Sequence, residues 1–336
     1  MNRAWSVLPW RRVLAATDFS QDAEFAVQRA VAIAQACGGS VTLAHCLPHL
    51  RRAAYSAVWA ARISADSPEG KAFQRELRRR SDEQLRQLAT AVQTPGVETL
   101  TQTLLGEPWV ELVHAVQEEH FDVVFAGSRG QSLWSELLTG STAKKLLRHC
   151  PCDVWVGRGP GHHMPKRILA AADFSDVSCR AVSRALWLAA MLNAEVWVLH
   201  VIDTADVPED LADRAGSLRS IREVRSIREV IREEAAKRLR DFLHEVPAGA
   251  EVVQQETAFG DASRELRRYA SEIAAELIVC GTFGRSGFRG LLLGNTAERL
   301  VDHSGISVLA VKPANFQSTV ERATWQIATE PVGALP

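Results

Sequence analysis

The sequence predicts an α/β protein of two tandem domains, each an open parallel sheet of five strands with helices on both faces. An internal repeat supports the two domains, because residues 13–45 align without gaps on 168–200 and residues 121–157 align on 275–311. The two alignments have nearly the same offset, which indicates duplication of a whole unit of domain size. In both copies, apolar runs alternate with helical patterns, and this alternation predicts parallel βαβ units.

The elements of the first half follow from its apolar periodicity. Residues 13–17 form a short apolar run, typical of a buried strand, that ends at Asp18-Phe19-Ser20. Ser20 or Asp22 can cap the next helix, which Gly38-Gly39 end. Further strands are predicted at 41–46, 97–105, 123–126 and 154–156, and further helices at 75–92, 108–119 and 141–149. The second half repeats this order.

The repeat also predicts the domain boundaries. The first domain covers residues 1–157, a linker rich in Gly and Pro covers 158–166, and the second domain covers 167–313. Residues 314–336 have no counterpart in the first half and are predicted to be a C-terminal tail. The second half differs at 220–230, where a six-residue unit occurs twice. Since six does not match the helical period, we expect the apolar stripe of this charged helix to wander.

Composition narrows the class of protein. The 336 residues carry a formal net charge of −1, without the basic surplus usual in nucleic-acid or membrane-surface binders. The N-terminal residues lack the apolar core of a signal peptide, and no uncharged apolar run approaches the length of a membrane span. The six cysteines are scattered and form no CxxC pair, which is typical of a reducing compartment. We therefore predict a cytoplasmic protein.

A glycine pattern after the fourth strand indicates phosphate binding. Gly127 and Gly130 are followed, after nine residues, by Gly140, Ser141 and Thr142 at the start of a helix. Unpaired N–H groups at a helix N-terminus attract phosphate, and glycines allow close approach of the backbone. These five residues are the predicted phosphate loop. The alternative is that the glycines are plain turn residues at the end of a strand.

The second half contains a copy of this pattern. Gly281, Gly284, Gly294, Asn295 and Thr296 keep the spacing of the first copy. Asn295 stands where the first copy has a serine, and its amide can still donate a hydrogen bond although it is bulkier. Whether the second domain also binds a nucleotide is left open.

An aspartate follows the first strand in both copies, as Asp18 and Asp173. In an open parallel sheet, ligands lie beyond the carboxyl ends of the strands where the strand order reverses. If the first and fourth strands are neighbours, Asp18 and Gly127 face the same crevice. Because phosphates repel a carboxylate, Asp18 is predicted to contact the base or ribose edge, or a metal ion. The alternative is a helix N-cap.

Together these residues resemble the universal stress protein (UspA) family. The resemblance rests on the strand endings ATDFS and AADFS, on His45 and His200 at the second strands, on the glycine pattern and on the closing strands. It covers nearly all of residues 11–313, in both copies. The segment GNTAERLVDH is also similar to tandem members of the E type.

The resemblance implies a fold, a ligand and a domain arrangement. The fold is Rossmann-like, of the adenine nucleotide alpha hydrolase type, with strand order 3-2-1-4-5 in each sheet. The implied ligand is ATP, with Mg²⁺ left open. Its adenine would lie at Asp18, and its ribose and phosphates at the glycine pattern. The family also implies that the domains pair through their last strands, and it leaves open whether two chains form a homodimer.

Two functions follow from these expectations. The first is a stress-response regulator that binds ATP in domain one. The alternative is a stress scaffold that binds a protein or a small ligand without a nucleotide. No nucleophile elbow or paired acid and base is visible, so no enzyme activity beyond slow ATP hydrolysis is predicted. His149, Cys150 and Cys152 lack the spacing of a zinc knuckle, so no metal site is predicted.

Overall fold

The computed structural model describes residues 8–47, 67–128, 141–159, 164–203, 221–246, 252–282 and 295–320. Within these ranges the first half forms β1 (Arg12–Ala16), α1 (Gln21–Cys37), β2 (Ser40–Leu47), α2 (Pro68–Ala91), β3 (Glu98–Leu105), α3 (Pro108–Glu119), β4 (Val123–Gly127), α4 (Ser141–His149) and β5 (Asp153–Gly157). The second half forms β6 (Arg167–Ala172), α5 (Asp176–Leu192), β7 (Glu195–Ile202), α6 (Ile221–Glu245), β8 (Val252–Phe259), α7 (Ala262–Glu272), β9 (Leu277–Gly281), α8 (Asn295–His303) and β10 (Ser307–Val311).

The strands form one continuous sheet in the order β3-β2-β1-β4-β5-β10-β9-β6-β7-β8. Each half has the predicted 3-2-1-4-5 order with parallel neighbours, but the prediction of two separate five-stranded sheets is wrong. The two halves join because β5 and β10 pair antiparallel. Either strand alone would end its sheet with a row of unpaired backbone N–H and C=O groups, and the pairing satisfies both rows.

The junction of β5 and β10 has approximate twofold symmetry. Val156 pairs with Val308 and Val154 with Ala310, on either side of the central pair Trp155 and Leu309. Every residue of both strands is buried. The pairing of the domains through their last strands is therefore confirmed. We call this junction, with the residues that flank it, the domain seam.

Helices cover both faces of the sheet. One buried cluster contains Ala26 of α1, Leu85 of α2, Val182 of α5 and Leu239 of α6. The opposite cluster contains Val113 of α3, Leu146 of α4, Leu266 of α7 and Leu300 of α8. Neighbouring residues of β1 point to opposite clusters, Val13 to the first and Leu14 to the second, as the pleat of a strand requires. The predicted two-faced α/β architecture is confirmed.

Two helices differ from their predicted form. Helix α2 begins earlier than expected, because the Ser67 hydroxyl accepts the Gly70 N–H and Pro68 takes the first helical position. Helix α6 contains the repeated segment, in which Ile227 is buried and Val230 is 47% exposed, so the stripe of the repeat leaves the buried face as predicted, but a regular stripe continues beyond it. Ile227, Ile231 and Ala235 lie one turn apart and are buried, as is Leu239.

Among the helices that the structure describes, none is both long enough and apolar enough to cross a bilayer. Of the predicted C-terminal tail, residues 314–320 form neither helix nor strand, and the remainder lies outside the described ranges.

A buried ion pair stabilises the domain seam. The Arg184 guanidinium of α5 lies 3.2 Å from the Asp153 carboxylate at the start of β5, and their side chains are 8% and 5% exposed. Asp153 also accepts the backbone N–H of Lys312 at 3.1 Å. The Arg184 guanidinium lies over Trp10, 4.6 Å from the ring centroid. The pair therefore joins the second domain to residues of the first.

We expect Asp153→Ala to lower the free energy of unfolding by about 3–5 kcal/mol, because it leaves the Arg184 charge buried and unpaired. Chemical denaturation measures this change. The matched control is Arg86→Ala on α2, which removes an exposed ion pair with Glu83. It should cost less than about 1 kcal/mol. Equal losses in the two variants would contradict a stabilising role for the seam pair.

Candidate functional site

Strands β1 and β4 are neighbours at the centre of the first domain, as the family resemblance implied. The chain passes from β1 to β2 and β3 on one side, and β4 and β5 lie on the other side. The strand order thus reverses between β1 and β4, and such a reversal opens a crevice at the carboxyl ends of the strands. Asp18 lies just beyond the end of β1, and Gly127 ends β4 beside it. The structure therefore brings Asp18 and Gly127 to one edge.

Asp18 begins a tight turn into α1. Its Oδ1 accepts the backbone N–H of Ser20 at 3.0 Å, and Phe19 adopts a left-handed φ of 61°. Ser20 is the N-cap, since its hydroxyl accepts the Ala23 N–H. The helix-cap alternative for Asp18 is therefore wrong, because the side chain that caps α1 lies two residues further on. The Asp18 carboxylate is instead held at the entrance of the crevice.

The second domain repeats this turn. Phe174 has a φ of 64°, and Ser175 caps α5. Asp173 Oδ1 accepts both the backbone N–H of Ser175, at 3.0 Å, and its hydroxyl, at 2.5 Å. Two donors of one residue therefore converge on a single carboxylate oxygen of Asp173.

A histidine closes each turn from the neighbouring strand. His45 of β2 lies 2.8 Å from the Thr17 carbonyl through its Nδ1, and its ring packs at 4.6 Å from that of Phe19. His200 of β7 makes the same pair of contacts with the Ala172 carbonyl, at 2.8 Å, and with Phe174, at 4.2 Å. These contacts give both histidines a structural role in shaping the edge.

Gly127 is required by packing as well as by any ligand. A Cβ at this position would lie 2.8 Å from the Ala23 nitrogen and 2.9 Å from the Asp22 carbonyl carbon. The first turn of α1 therefore approaches the end of β4 so closely that only glycine fits. At Gly281 the nearest atom would be a side-chain methyl of Val177, at 2.9 Å. The approach of backbone to backbone is thus specific to the first domain.

The residue after each of these glycines anchors the start of the loop, and sequence reasoning did not single it out. The Ser128 hydroxyl donates to the Asp22 carboxylate at 2.8 Å, and its backbone N–H donates to the Gly157 carbonyl at 3.1 Å. Its counterpart Thr282 donates to the Val311 carbonyl through both its N–H and its hydroxyl. Both side chains are buried. The internal repeat could have indicated this residue, because a residue with a hydroxyl group follows the glycine in both copies.

Helices α4 and α8 begin at the carboxyl edges of their domains and differ in charge. Ser141 and Thr142 start α4, whose first turn contains no acidic residue. The first turn of α8 contains Thr296 and Glu298. The Glu298 carboxylate accepts hydrogen bonds from the Arg148 guanidinium of α4. Because a carboxylate offsets the positive end of a helix, the N-terminus of α4 is left more favourable to an external anion.

Part of the predicted site lies outside the described residues. These positions are Gly130, Gly140, Gly284 and Gly294. For Asn295 only the backbone, at the start of α8, is described. The other predicted residues are described. In the first domain, Asp18 and Gly127 lie at the ends of β1 and β4, and Ser141 and Thr142 lie at the start of α4. In the second domain, Asp173 and Gly281 lie at the ends of β6 and β9, and Thr296 lies at the start of α8.

Within the described ranges, no three His, Cys, Asp or Glu side chains form a group that could hold a metal ion. Cys150 and Cys152 lie 3.5 Å apart at their sulfurs, and His149 packs on Trp109 at 4.9 Å. Burial and the neighbouring Lys312, Arg148 and Lys145 cations lower the pKa of His149.

The paired 3-2-1-4-5 halves, each with the same turn at its carboxyl edge, define a tandem doubly wound α/β protein. The model of the universal stress protein family matches this chain twice, over residues 9–158 and 164–312. The chain therefore belongs to the universal stress protein family, which confirms the resemblance seen in the sequence and assigns the protein to the stress response.

Relatives match the whole chain or one half of it. Universal stress protein E of Photorhabdus laumondii is 23% identical over 328 residues, which cover 94% of this chain and 98% of that protein. Universal stress protein A homolog 1 of Coxiella burnetii is 34% identical over 146 residues, 44% of this chain and 95% of that protein. The crystal structure of a universal stress protein from Archaeoglobus fulgidus has a TM-score of 0.60 at 20% identity, over 90% of this chain and 98% of that one. That likeness confirms the fold.

The close approach at Gly127 leads to a stability prediction. Gly127→Ala should lower the free energy of unfolding by about 1–3 kcal/mol, because its methyl group would have to displace backbone atoms of α1. Gly281→Ala should cost less, since only the Val177 side chain must move. Gly305→Ala is the control, because no heavy atom lies within 4 Å of its added Cβ. Denaturant titration compares the three, and equal values for Gly127 and Gly305 would contradict the packing argument.

Proposed function

We propose that this universal stress protein acts in the stress response by binding an adenine nucleotide, ATP, at the carboxyl edge of the first domain. Asp18, Gly127, Gly130, Gly140, Ser141 and Thr142 form the proposed site. Asp18 contacts the adenine side, and the glycines with the start of α4 hold the ribose and phosphates. This site is proposed to bind and not to transform the nucleotide.

The observation that carries the proposal is the reversal of strand order between β1 and β4. A crevice at this point of a doubly wound sheet is the usual position of a nucleotide. Three of the proposed groups approach it from separate elements: Asp18 after β1, Gly127 at the end of β4, and Ser141 at the start of α4. The turn at Phe19 and the anchored Ser128 fix two of these segments before any ligand arrives.

Charge favours the first domain over the second. The first turn of α4 has no carboxylate, whereas Glu298 lies in the first turn of α8 and would repel a phosphate there. We therefore assign the nucleotide to domain one.

Calorimetry with ATP, with and without Mg²⁺, tests this assignment. We expect one ATP per chain and at least a tenfold weaker Kd in Asp18→Ala, equivalent to about 1.4 kcal/mol for the lost charge-assisted hydrogen bond. Asp173→Ala is the matched control. It removes the same turn acceptor from the second domain and should leave ATP affinity unchanged.

Thermal unfolding of both variants separates binding from stability. Each substitution removes the aspartate that accepts hydrogen bonds within its turn, so both should show a similar, small decrease in Tm. Absence of heat with the wild-type protein would overturn the nucleotide proposal and favour the scaffold alternative. Equal weakening by the two substitutions would show that the effect of Asp18 is not local to domain one.

A further inference from the structure

The twofold symmetry of the domain seam is broken at one pair of charged positions. The repeat makes Arg29 of α1 equivalent to Arg184 of α5, and Asp153 of β5 equivalent to Ser307 of β10. The backbone contacts are conserved across the symmetry axis, since Lys312 N–H donates to the Asp153 carboxylate and Arg158 N–H donates to the Ser307 hydroxyl. One side of the seam thus has a carboxylate where the other has a neutral hydroxyl.

On the Asp153 side, Arg184 is paired with the carboxylate at 3.2 Å. On the Ser307 side, no carboxylate in the described part of the chain accepts a hydrogen bond from the equivalent Arg29, although the charge of Glu276 acts on this guanidinium. Arg29 Nη2 donates to the Arg158 carbonyl at 3.2 Å, but its Nη1 has no hydrogen-bond partner in the described part of the chain. Arg29 as a whole residue is only 7% exposed. An unsatisfied donor on a buried cation is unfavourable, so an external acceptor would stabilise it.

A cavity of about 280 Å³ opens beside Arg29 on this side of the seam. We call it the seam cavity, and its lining includes Arg29, Trp155, Arg158, Glu276, Gly305 and Ser307. Two of these side chains are cationic and one is anionic. The Glu276 carboxylate is engaged by the backbone N–H groups of Lys166, at 2.6 Å, and of Arg167, at 3.2 Å. The described residues of the lining therefore keep a net positive charge.

We propose that the seam cavity binds a small oxyanion, a phosphate or carboxylate group that takes the position of the missing Asp153 equivalent. The occupant pairs with the guanidinium of Arg29, as the Asp153 carboxylate pairs with that of Arg184. On the other side of the seam, the group that pairs with the equivalent arginine is the Asp153 carboxylate, so an oxyanion fits this position. The cavity volume admits a free phosphate or a small organic acid and is smaller than most cofactor pockets.

The proposed anion would act on the pairing of the two domains. Arg29 belongs to the first domain and Ser307 to the second, and Arg158 donates to the Val301 carbonyl of α8 at 2.7 Å. An oxyanion between these groups joins both halves of the chain. Its binding is independent of the nucleotide proposal, because Asp18, Gly127, Ser141 and Thr142, the described residues of the nucleotide site, do not line the seam cavity.

Thermal unfolding and calorimetry with inorganic phosphate test the proposal, with acetate as a second titration and chloride at equal ionic strength as the reference. A single phosphate bound at ten times its Kd should raise the folding constant about elevenfold. Arg29→Gln should abolish this response. Arg86→Gln, which removes an exposed arginine from α2, should retain it.

Ser307→Asp is the decisive variant because it restores the carboxylate of the other side. It should raise Tm in anion-free buffer and abolish the response to phosphate and acetate. Retention of the response in both Arg29→Gln and Ser307→Asp would place the anion elsewhere, for example at the nucleotide site, and overturn the proposal. A lower Tm of Ser307→Asp without added anion would also overturn it. If Arg29→Gln fails to fold, Ser307→Asp alone decides the result. The difference between the phosphate and acetate titrations identifies which oxyanion the cavity prefers.

Discussion

The antiparallel pairing of β5 with β10 is the interaction on which the rest of the molecule depends. It converts two sheets, each with an exposed last strand, into one sheet of ten strands with its seam in the interior. The pairing buries Trp155 and Leu309 at the symmetry axis, and it brings Arg184 to Asp153 across the domains. Because the backbone contacts are symmetric, each side-chain difference between the halves has a direct electrostatic consequence at the seam.

The fold could be predicted almost completely from the sequence. The repeat, the alternation of elements and the turn signals at Asp18 and Gly38 depend on local residues and on spacing, which one sequence displays. The count of separate sheets was wrong, although the family resemblance implied pairing of the last strands, because no local pattern shows that this pairing joins the two sheets into one. The start of α2 was missed because its cap, Ser67, precedes a first turn of low hydrophobicity. In α6, the buried residues that pack against β7 and β8 include Ile227 and Ile231. This spacing was hard to recognise in the sequence because the six-residue repeat has a different period.

The candidate site was less predictable. The sequence displays the residue types of the site and their spacing, but it does not display why each residue is needed at its position. Gly127 appeared as a residue that approaches a ligand, whereas the structure shows that the backbone of α1 already requires it. Asp18 appeared as a possible cap, but Ser20 takes that position. Ser128 passed unnoticed because a single buried hydroxyl leaves no periodic signal, and its partner Asp22 is distant in sequence.

Duplication explains why function is best sought where the halves differ. A shared feature, such as the histidine beneath each turn, is sufficiently explained by the common fold. A difference at equivalent positions needs a separate cause, because both halves face the same packing problem. Glu298 lies in the first turn of α8, whereas the first turn of α4 has no acidic residue. Ser307 has a neutral hydroxyl at the position where its equivalent, Asp153, has a carboxylate. Each difference leaves a positive group of the first domain, the N-terminus of α4 or the Arg29 guanidinium, without the carboxylate that its counterpart has in the second half. Both proposed anion sites therefore lie beside elements of the first domain.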